Sequence, residues 1–124
     1  PHAAVFPKCR MIVHHGGAGT THAALRAGKP SVVVAHTAEQ ELWARELERI
    51  GAAPRLIRRR DATAAAIAAA MTRVAASDQI GTRAQQVGIR VASENGVANC
   101  VRLIERRFPG SGPSADSAWN SERT

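Results

Sequence analysis

A histidine pair followed by a glycine-rich turn contains the residues of this chain best suited to chemistry. Directly after an apolar run come His15, Gly17, Ala18, Gly19 and Thr20. Glycines let the backbone approach a ligand closely, and the free N–H groups at a helix N-terminus point towards negatively charged oxygens. A histidine beside such a turn adds a hydrogen bond or a positive charge. The pattern predicts a binding site for a phosphate or a diphosphate.

Alternating strands and helices are predicted to position this turn. Apolar runs predict two buried strands, at residues 11–14 and 31–35, and a short third strand is predicted at residues 54–57. Helical patterns predict two helices between them, at residues 20–27 and 42–50, each ending at a glycine. This order is typical of a parallel sheet covered by helices, so the predicted fold class is α/β.

The chain beyond the third strand is predicted to be helical. Asp61 or Thr63 can cap the first of three helices, and the other two are expected at residues 79–93 and 97–108. From Pro109 onward the sequence is rich in Gly, Ser and Pro without periodicity. Residues 109–124 are therefore predicted to form a disordered tail.

Three motifs in a fixed order make the chain resemble a known enzyme family. They are the turn that starts at His15, the Gly28-Lys29-Pro30 turn before a Val-Val-Val strand, and Glu39-Gln40 ahead of Trp43-Ala44. Together they resemble the donor-binding half of GT-B glycosyltransferases, closest to the UDP-glucosyltransferase-like family (glycosyltransferase family 1) that includes sterol and macrolide glycosyltransferases. The resemblance implies that residues 1–108 are the Rossmann-like, C-terminal donor-binding domain of such a protein, incomplete at the N-terminus. It also implies a parallel sheet flanked by helices, with helices at the C-terminal end.

The resemblance implies a role for each position of the turn. His15 would contact the diphosphate of a nucleotide-sugar. Backbone N–H groups of Gly17, Ala18 and Gly19 would donate to the same oxygens, and Thr20 would donate from its N–H and hydroxyl. Taken alone, His15 also fits an ordinary turn histidine with its hydrogen bonds satisfied. His14 faces the opposite way in an extended segment, so packing is expected for it.

The same resemblance assigns the sugar and the nucleoside to other residues. Glu39 and Gln40 would bind hydroxyls of the donor sugar, since a carboxylate accepts hydrogen bonds and an amide both donates and accepts. A plain alternative for Glu39 is a helix N-terminal glutamate favoured by the helix dipole. His2 matches a position near the nucleoside.

The chain departs from the family pattern at two places. Ala35 stands where the family has a proline ending the second strand, and the polar His36 that follows it, near the sugar, is expected to alter donor preference or the shape of the loop. Ala23 stands where plant members carry a ribose-binding glutamate, so ribose recognition is not assigned.

Charge and composition argue against other classes of function. The net charge of +7 comes almost wholly from dispersed arginines, and there are two Phe, two Trp and no Tyr to stack on bases. The run Arg58-Arg59-Arg60 is therefore interpreted as a solvated connection rather than a nucleic-acid patch. Cys9 and Cys100 are expected to be reduced and partly buried. The five histidines lack metal-ligand spacing, and no metal site is expected.

The function implied is the donor-binding part of an inverting glycosyltransferase. It would move a hexose from a nucleoside-diphosphate sugar (UDP- or dTDP-linked, with UDP-glucose as the family default) to an acceptor hydroxyl of a lipid or natural product. The family's catalytic base and acceptor pocket lie in its N-terminal domain, so no catalytic residue is assigned here, and the chain alone is expected to be inactive. The donor is a substrate, and no cofactor is expected.

Two alternatives stay open, and the location follows from composition. The chain does not begin with Met, which also fits a truncated, non-catalytic nucleotide-sugar-binding remnant or interaction module. A basic nucleic-acid binder ranks far behind both, and it would require salt-sensitive binding to duplex or single-stranded nucleic acid. No apolar run reaches the ~20 residues that span a bilayer, so a cytoplasmic protein without a transmembrane segment is expected.

Overall fold

The structure, a computed structural model, describes residues 1–109. In order, the helices and strands are α1 His2–Val5, β1 Ile12–His14, α2 Ala18–Arg26, β2 Ser31–Ala35, α3 Ala38–Arg49, β3 Ile57–Arg58, α4 Ala64–Ala76, α5 Asp78–Ser93 and α6 Gly96–Arg107. Short 3-10 helices lie at Phe6–Lys8 and Arg59–Asp61. The chain divides into two compact units, Pro1–Ser93 and a second that begins at Glu94.

The first unit contains a parallel sheet in the order β1-β2-β3. Val13 pairs with Val32, and Ala35 pairs with Arg58, so the carboxyl ends of all three strands lie along one edge. β2 lies in the middle and, after Ser31, is apolar because helices cover it, with Val32 and Val33 buried. The predicted α/β class with a parallel sheet and flanking helices is confirmed.

Small residues let the helices of the first unit pack closely. Val33 and Leu47 belong to a buried cluster that also contains Ala84 of α5. Where α5 crosses the end of α2, a methyl group at position 88 would lie 2.6 Å from Gly28 Cα and 2.7 Å from the Leu25 carbonyl oxygen. Gly88 is therefore required for the backbones of α2 and α5 to approach each other.

Several element boundaries differ from the prediction, for local reasons. α3 begins at Ala38 rather than residue 42, because Thr37 caps it by accepting from the Gln40 N–H at 3.4 Å. The first turn of α3 is polar, and the helical repeat of apolar residues, on which the prediction relied, begins only after it. β3 is shorter than predicted: it begins three residues later and ends one residue later, and Pro54, which has no N–H for a ladder, stays outside it. Helix α1 was not predicted.

Other predictions can be compared directly. Thr63, rather than Asp61, caps α4 by accepting from the Ala66 N–H at 3.1 Å. Cys9 is half-buried and Cys100 is exposed, and both are free thiols. Of the predicted tail, residues 110–124 lie outside the described residues.

In the second unit the described residues form α6. Val97, Val101 and Ile104 recur at helical spacing, which gives this helix an apolar stripe. Within residues 1–109, no helix combines the length and the apolar character that crossing a membrane requires.

Candidate functional site

The turn after β1 packs directly on the first turn of α3. Gly16 is buried at φ +89°, and a methyl group there would lie 2.8 Å from Val33 Cγ1 and 3.0 Å from the Gln40 carbonyl oxygen. A positive φ is costly for residues other than glycine, so Gly16 allows a contact that a larger residue would prevent. The predicted diphosphate motif and the predicted sugar motif are therefore neighbours at the carboxyl edge of the sheet.

The N-terminus of α2 presents unpaired backbone donors. Gly17 is the N-cap residue, and no side chain caps the helix. The first helical N–H to find a partner is that of Thr21, which donates to the Gly17 carbonyl at 2.9 Å. Within residues 1–109, the N–H groups of Ala18, Gly19 and Thr20 have no recorded acceptor. Three such donors at the positive end of a helix dipole suit an anion.

His15 lies over the same helix end. A methyl group at position 17 would lie 2.5 Å from His15 Nε2 and 3.3 Å from its Cε1. The ring is exposed and folds back over Gly17, so a ring nitrogen stands beside the amides of α2. The absence of a side chain at Gly17 makes room for this ring.

His14 was expected to pack, and the structure gives it a further role in shaping the turn. Its Nδ1 accepts from the Gly16 N–H at 3.0 Å. Burial, with a smaller contribution from neighbouring His15, lowers the pKa of His14 to about 4, so the ring is neutral at pH 7 with its proton on Nε2. That Nε2 is buried and has no partner within residues 1–109. Sequence reasoning missed this role. The signal in the sequence was a histidine placed two residues before a glycine, close enough for the ring to accept from the glycine N–H.

The sugar motif lies on the first turn of α3, as its sequence position requires. Glu39 is exposed there. Gln40 is half-buried, and its Oε1 accepts from the backbone N–H of His36 at 2.8 Å. This hydrogen bond fixes which end of the amide faces the loop and leaves the NH2 group to donate elsewhere.

Glu41 and Arg58 form an ion pair beside this motif that sequence reasoning also missed. Arg58 Nε donates to Glu41 Oε1 at 2.9 Å, and Nη2 donates to Oε2 at 3.1 Å. The Arg58 hydrogen bond holds the pKa of Glu41 below its usual value. The prediction that the three consecutive arginines are solvated is therefore wrong for Arg58, which is half-buried and paired. Arg59 and Arg60 are exposed, as predicted. The pair joins residues 17 positions apart, which no local pattern indicates.

The remaining predicted positions lie elsewhere. His2 is in α1, and its ring stacks on Phe6 at a centroid distance of 4.5 Å, so its nucleoside role stays a prediction. Ala23 packs against the cluster around Phe6 and Ile12. A cavity of about 540 Å³ borders Arg58 on the side of Arg55 and Asp61, and none of residues 14–20 line it. Within residues 1–109, no three His, Cys, Asp or Glu side chains gather as metal ligands.

Residues 1–105 match the erythromycin biosynthesis protein CIII-like C-terminal domain family. The chain is 44% identical over 100 residues to an uncharacterised glycosyltransferase of Mycobacterium leprae, covering 79% of this chain and 23% of that protein. It is 39% identical over 101 residues to the O-mycaminosyltylonolide 6-deoxyallosyltransferase of Streptomyces fradiae, covering 82% of this chain and 24% of that protein. The chain thus spans about a quarter of the length of these curated relatives.

Solved structures give the same result. The glycotransferase of kitacinnamycin superposes with a TM-score of 0.78 at 28% identity, over 88% of this chain and 28% of that one. SsfS6, a glycosyltransferase of Streptomyces sp. SF2575 complexed with thymidine diphosphate, superposes with a TM-score of 0.71 at 33% identity, over 86% of this chain and 28% of that one. These likenesses confirm the predicted resemblance: the chain belongs to the EryCIII-like C-terminal domain family of GT-B glycosyltransferases.

Proposed function

We propose that this chain binds the nucleoside-diphosphate sugar of a glycosyltransferase at the carboxyl ends of β1 and β2. The observation that carries the proposal is the α2 N-terminus, where three backbone N–H groups without acceptors within residues 1–109 follow Gly17, over which the ring of His15 lies. The diphosphate is the part of the donor with the highest charge density, so it is the part that this arrangement suits best.

In this proposal the diphosphate accepts hydrogen bonds from the N–H groups of Gly17, Ala18, Gly19 and Thr20, from the Thr20 hydroxyl and from His15. During transfer, negative charge grows on the departing nucleoside diphosphate. Preorganised donors stabilise that charge without having to reorient. The donor is a substrate that supplies the leaving group, and the proposal includes no cofactor.

The sugar is assigned to the first turn of α3. Glu39 accepts from sugar hydroxyls, and Gln40 donates from the NH2 group that its bond to the His36 N–H leaves available. The contact between Gly16 and the Gln40 backbone supports this assignment, because it puts both motifs within the span of one ligand. His2 is proposed to lie near the nucleoside.

The nucleoside is proposed to be thymidine or uridine. The SsfS6 complex with thymidine diphosphate supports dTDP, and the resemblance to UDP-glucosyltransferases supports UDP-glucose. For the whole protein we propose inverting transfer of a hexose to an acceptor hydroxyl of a lipid or natural product.

The test is to titrate the purified chain with dTDP and with UDP by isothermal calorimetry. His15→Ala is expected to weaken binding roughly 10- to 150-fold, because one hydrogen bond to a charged group contributes roughly 1.5–3 kcal/mol. His22→Ala is the matched control, since His22 is an exposed histidine on the same helix. Equal affinity of the two variants, or no binding by the wild type, would refute the proposal.

A further inference from the structure

Three polar residues follow one another in the first turn of α3, and they face different ways. Successive residues lie about 100° apart around a helix, so Glu41 is turned about 200° from Glu39. The burial agrees, because Glu39 is exposed whereas Gln40 and Glu41 are half-buried. Glu41 therefore faces away from the side on which Glu39 would meet a sugar.

Glu41 is held by the end of β3. Both of its carboxylate oxygens accept from the Arg58 guanidinium, at 2.9 and 3.1 Å, and Arg45 lies 3.5 Å from Oε2. A forked contact of this kind fixes direction as well as distance, which a single charge contact does not. The fork therefore resists rotation of α3 about its own axis.

The end of β2 holds the same turn from another direction. Arg58 pairs with Ala35 across the sheet, and Ala35 directly precedes His36, whose N–H donates to Gln40 Oε1 at 2.8 Å. Two neighbouring strand ends thus each hold one residue of the α3 first turn. The orientation of this turn relative to the sheet depends on both attachments.

We propose that Glu41 and Arg58 are positioning residues for recognition of the donor sugar. By fixing the rotation of the α3 first turn, the pair sets the direction in which Glu39 and Gln40 face the sugar. It does not touch the ligand itself. The inference rests on the proposed function, and it extends that function to residues outside the binding motifs.

A second ion pair on α3 provides a control. Arg49 donates to Glu46 through Nε at 2.8 Å and Nη2 at 2.5 Å, in the same forked geometry. Both residues of that pair lie on α3, so the pair cannot orient the helix against the sheet. Exposed pairs of this kind contribute little to stability.

The experiment measures two affinities for each variant, one for dTDP and one for dTDP-glucose, with UDP and UDP-glucose in parallel. Arg58→Lys keeps the charge but removes the fork, and Glu41→Gln keeps the shape but removes the charge. Both are expected to lower the affinity for the nucleotide-sugar about 5- to 10-fold, the effect of losing one hydrogen bond. The affinity for the free nucleotide should change less than about twofold, as for surface substitutions elsewhere. Arg49→Lys should change neither affinity.

The outcomes separate this inference from the proposed function. If the variants lose the same affinity for the nucleotide as for the nucleotide-sugar, or lose none for either, the positioning role is overturned. In both cases, nucleotide binding by the wild type still supports the proposed binding site. If the wild type binds neither ligand, the proposed function itself is wrong. If Arg58→Lys does not fold by circular dichroism, Glu41→Gln gives the same comparison. Loss of folding in both variants would mean that the pair is only structural, which also overturns the inference.

Discussion

At the scale of single residues, Gly16 and Gly19 differ although they lie in one turn. Gly16 is required by the protein itself, since a methyl group there would meet Val33 and the Gln40 backbone. At Gly19 a methyl group would have no atom within 4 Å among the described residues. A glycine with open space around it suits a position where a ligand approaches the backbone.

We therefore predict opposite effects of alanine at these two positions. Gly19→Ala should raise the free energy of unfolding by up to about 1 kcal/mol, because alanine is the better helix former, yet weaken dTDP binding several-fold. Gly16→Ala should lower the free energy of unfolding by about 2–3 kcal/mol, because of the positive φ and the clash with the Gln40 carbonyl. Urea unfolding and calorimetry measure the two quantities. Unchanged dTDP affinity in Gly19→Ala would contradict a ligand at this helix end.

The neutral state of His14 makes a prediction about acid stability. Its folded pKa of about 4 lies below the ordinary value of 6.5, so the unfolded chain binds more protons between these two values. The stability contributed by neutral His14 is complete above pH 6.5 and falls as the pH drops towards 4. Allowing for solvent screening of this half-buried ring, the loss is about 1–2 kcal/mol.

Urea unfolding of wild type and His14→Asn at pH 7 and pH 4.5 tests this. Asparagine keeps an acceptor for the Gly16 N–H but does not titrate, so the variant should lose less stability on acidification than the wild type. His22→Asn, which alters an exposed histidine, should behave like the wild type. An identical acid loss in His14→Asn and wild type would show that His14 is not the titrating group.

At the scale of secondary-structure elements, the packing of α5 on α2 depends on one missing side chain. The atoms nearest to a methyl group at Gly88 are all backbone, at Gly28 Cα, Gly28 N and the Leu25 carbonyl oxygen. Backbone cannot move aside as the end of a flexible side chain can. α2 carries the candidate anion site at its other end, so this contact also supports the site.

We predict that Gly88→Ala lowers the free energy of unfolding by about 3 kcal/mol, at the upper end for overpacked positions. Gly81→Ala is the matched control in α5, because a methyl group there meets nothing within 4 Å among the described residues. It should be neutral or stabilise the fold by up to about 1 kcal/mol through helix propensity. Thermal unfolding followed by circular dichroism compares the two. Similar melting temperatures would contradict the close approach of α5 and α2.

At the scale of the whole molecule, the candidate binding residues all lie in the first compact unit. In the proposed function, residues 15–20 and 39–40 provide groups for the donor, and the family resemblance predicts the catalytic base and acceptor pocket in another domain. The chain spans about a quarter of the length of its curated relatives. We therefore expect nucleotide binding without sugar transfer from these residues alone.

Saturating dTDP should accordingly stabilise the chain, by about 2.7 kcal/mol at a hundred times its Kd. The same chain with dTDP-glucose and a hydroxylated acceptor should release no dTDP, as followed by chromatography. The stabilisation by dTDP is measured as a shift in melting temperature. Because the net charge is +7, this measurement is repeated at high salt to exclude non-specific attraction of an anion. Release of dTDP that depends on the acceptor would show that the chain itself is catalytic.

The sequence by itself determined the order of strands and helices from β1 onward, the glycine turn, the family and the two candidate motifs. These follow from signals within a few residues, such as apolar runs, glycine stops and residue order, so they can be read without knowing the fold. Boundaries were less certain where a polar first turn precedes the apolar period, as at Ala38. The roles of His15, Glu39 and Gln40 rest on the resemblance and stay predictions.

Only the tertiary structure decided how the motifs meet. The packing of Gly16 on Gln40, the forked pair of Glu41 with Arg58, and the approach of Gly88 to Gly28 each join segments distant in sequence. Such contacts depend on strand register and helix crossing, which no local pattern encodes. His14 shows the same limit at short range, because its pKa is lowered mainly by burial and only to a smaller extent by its chain neighbour His15.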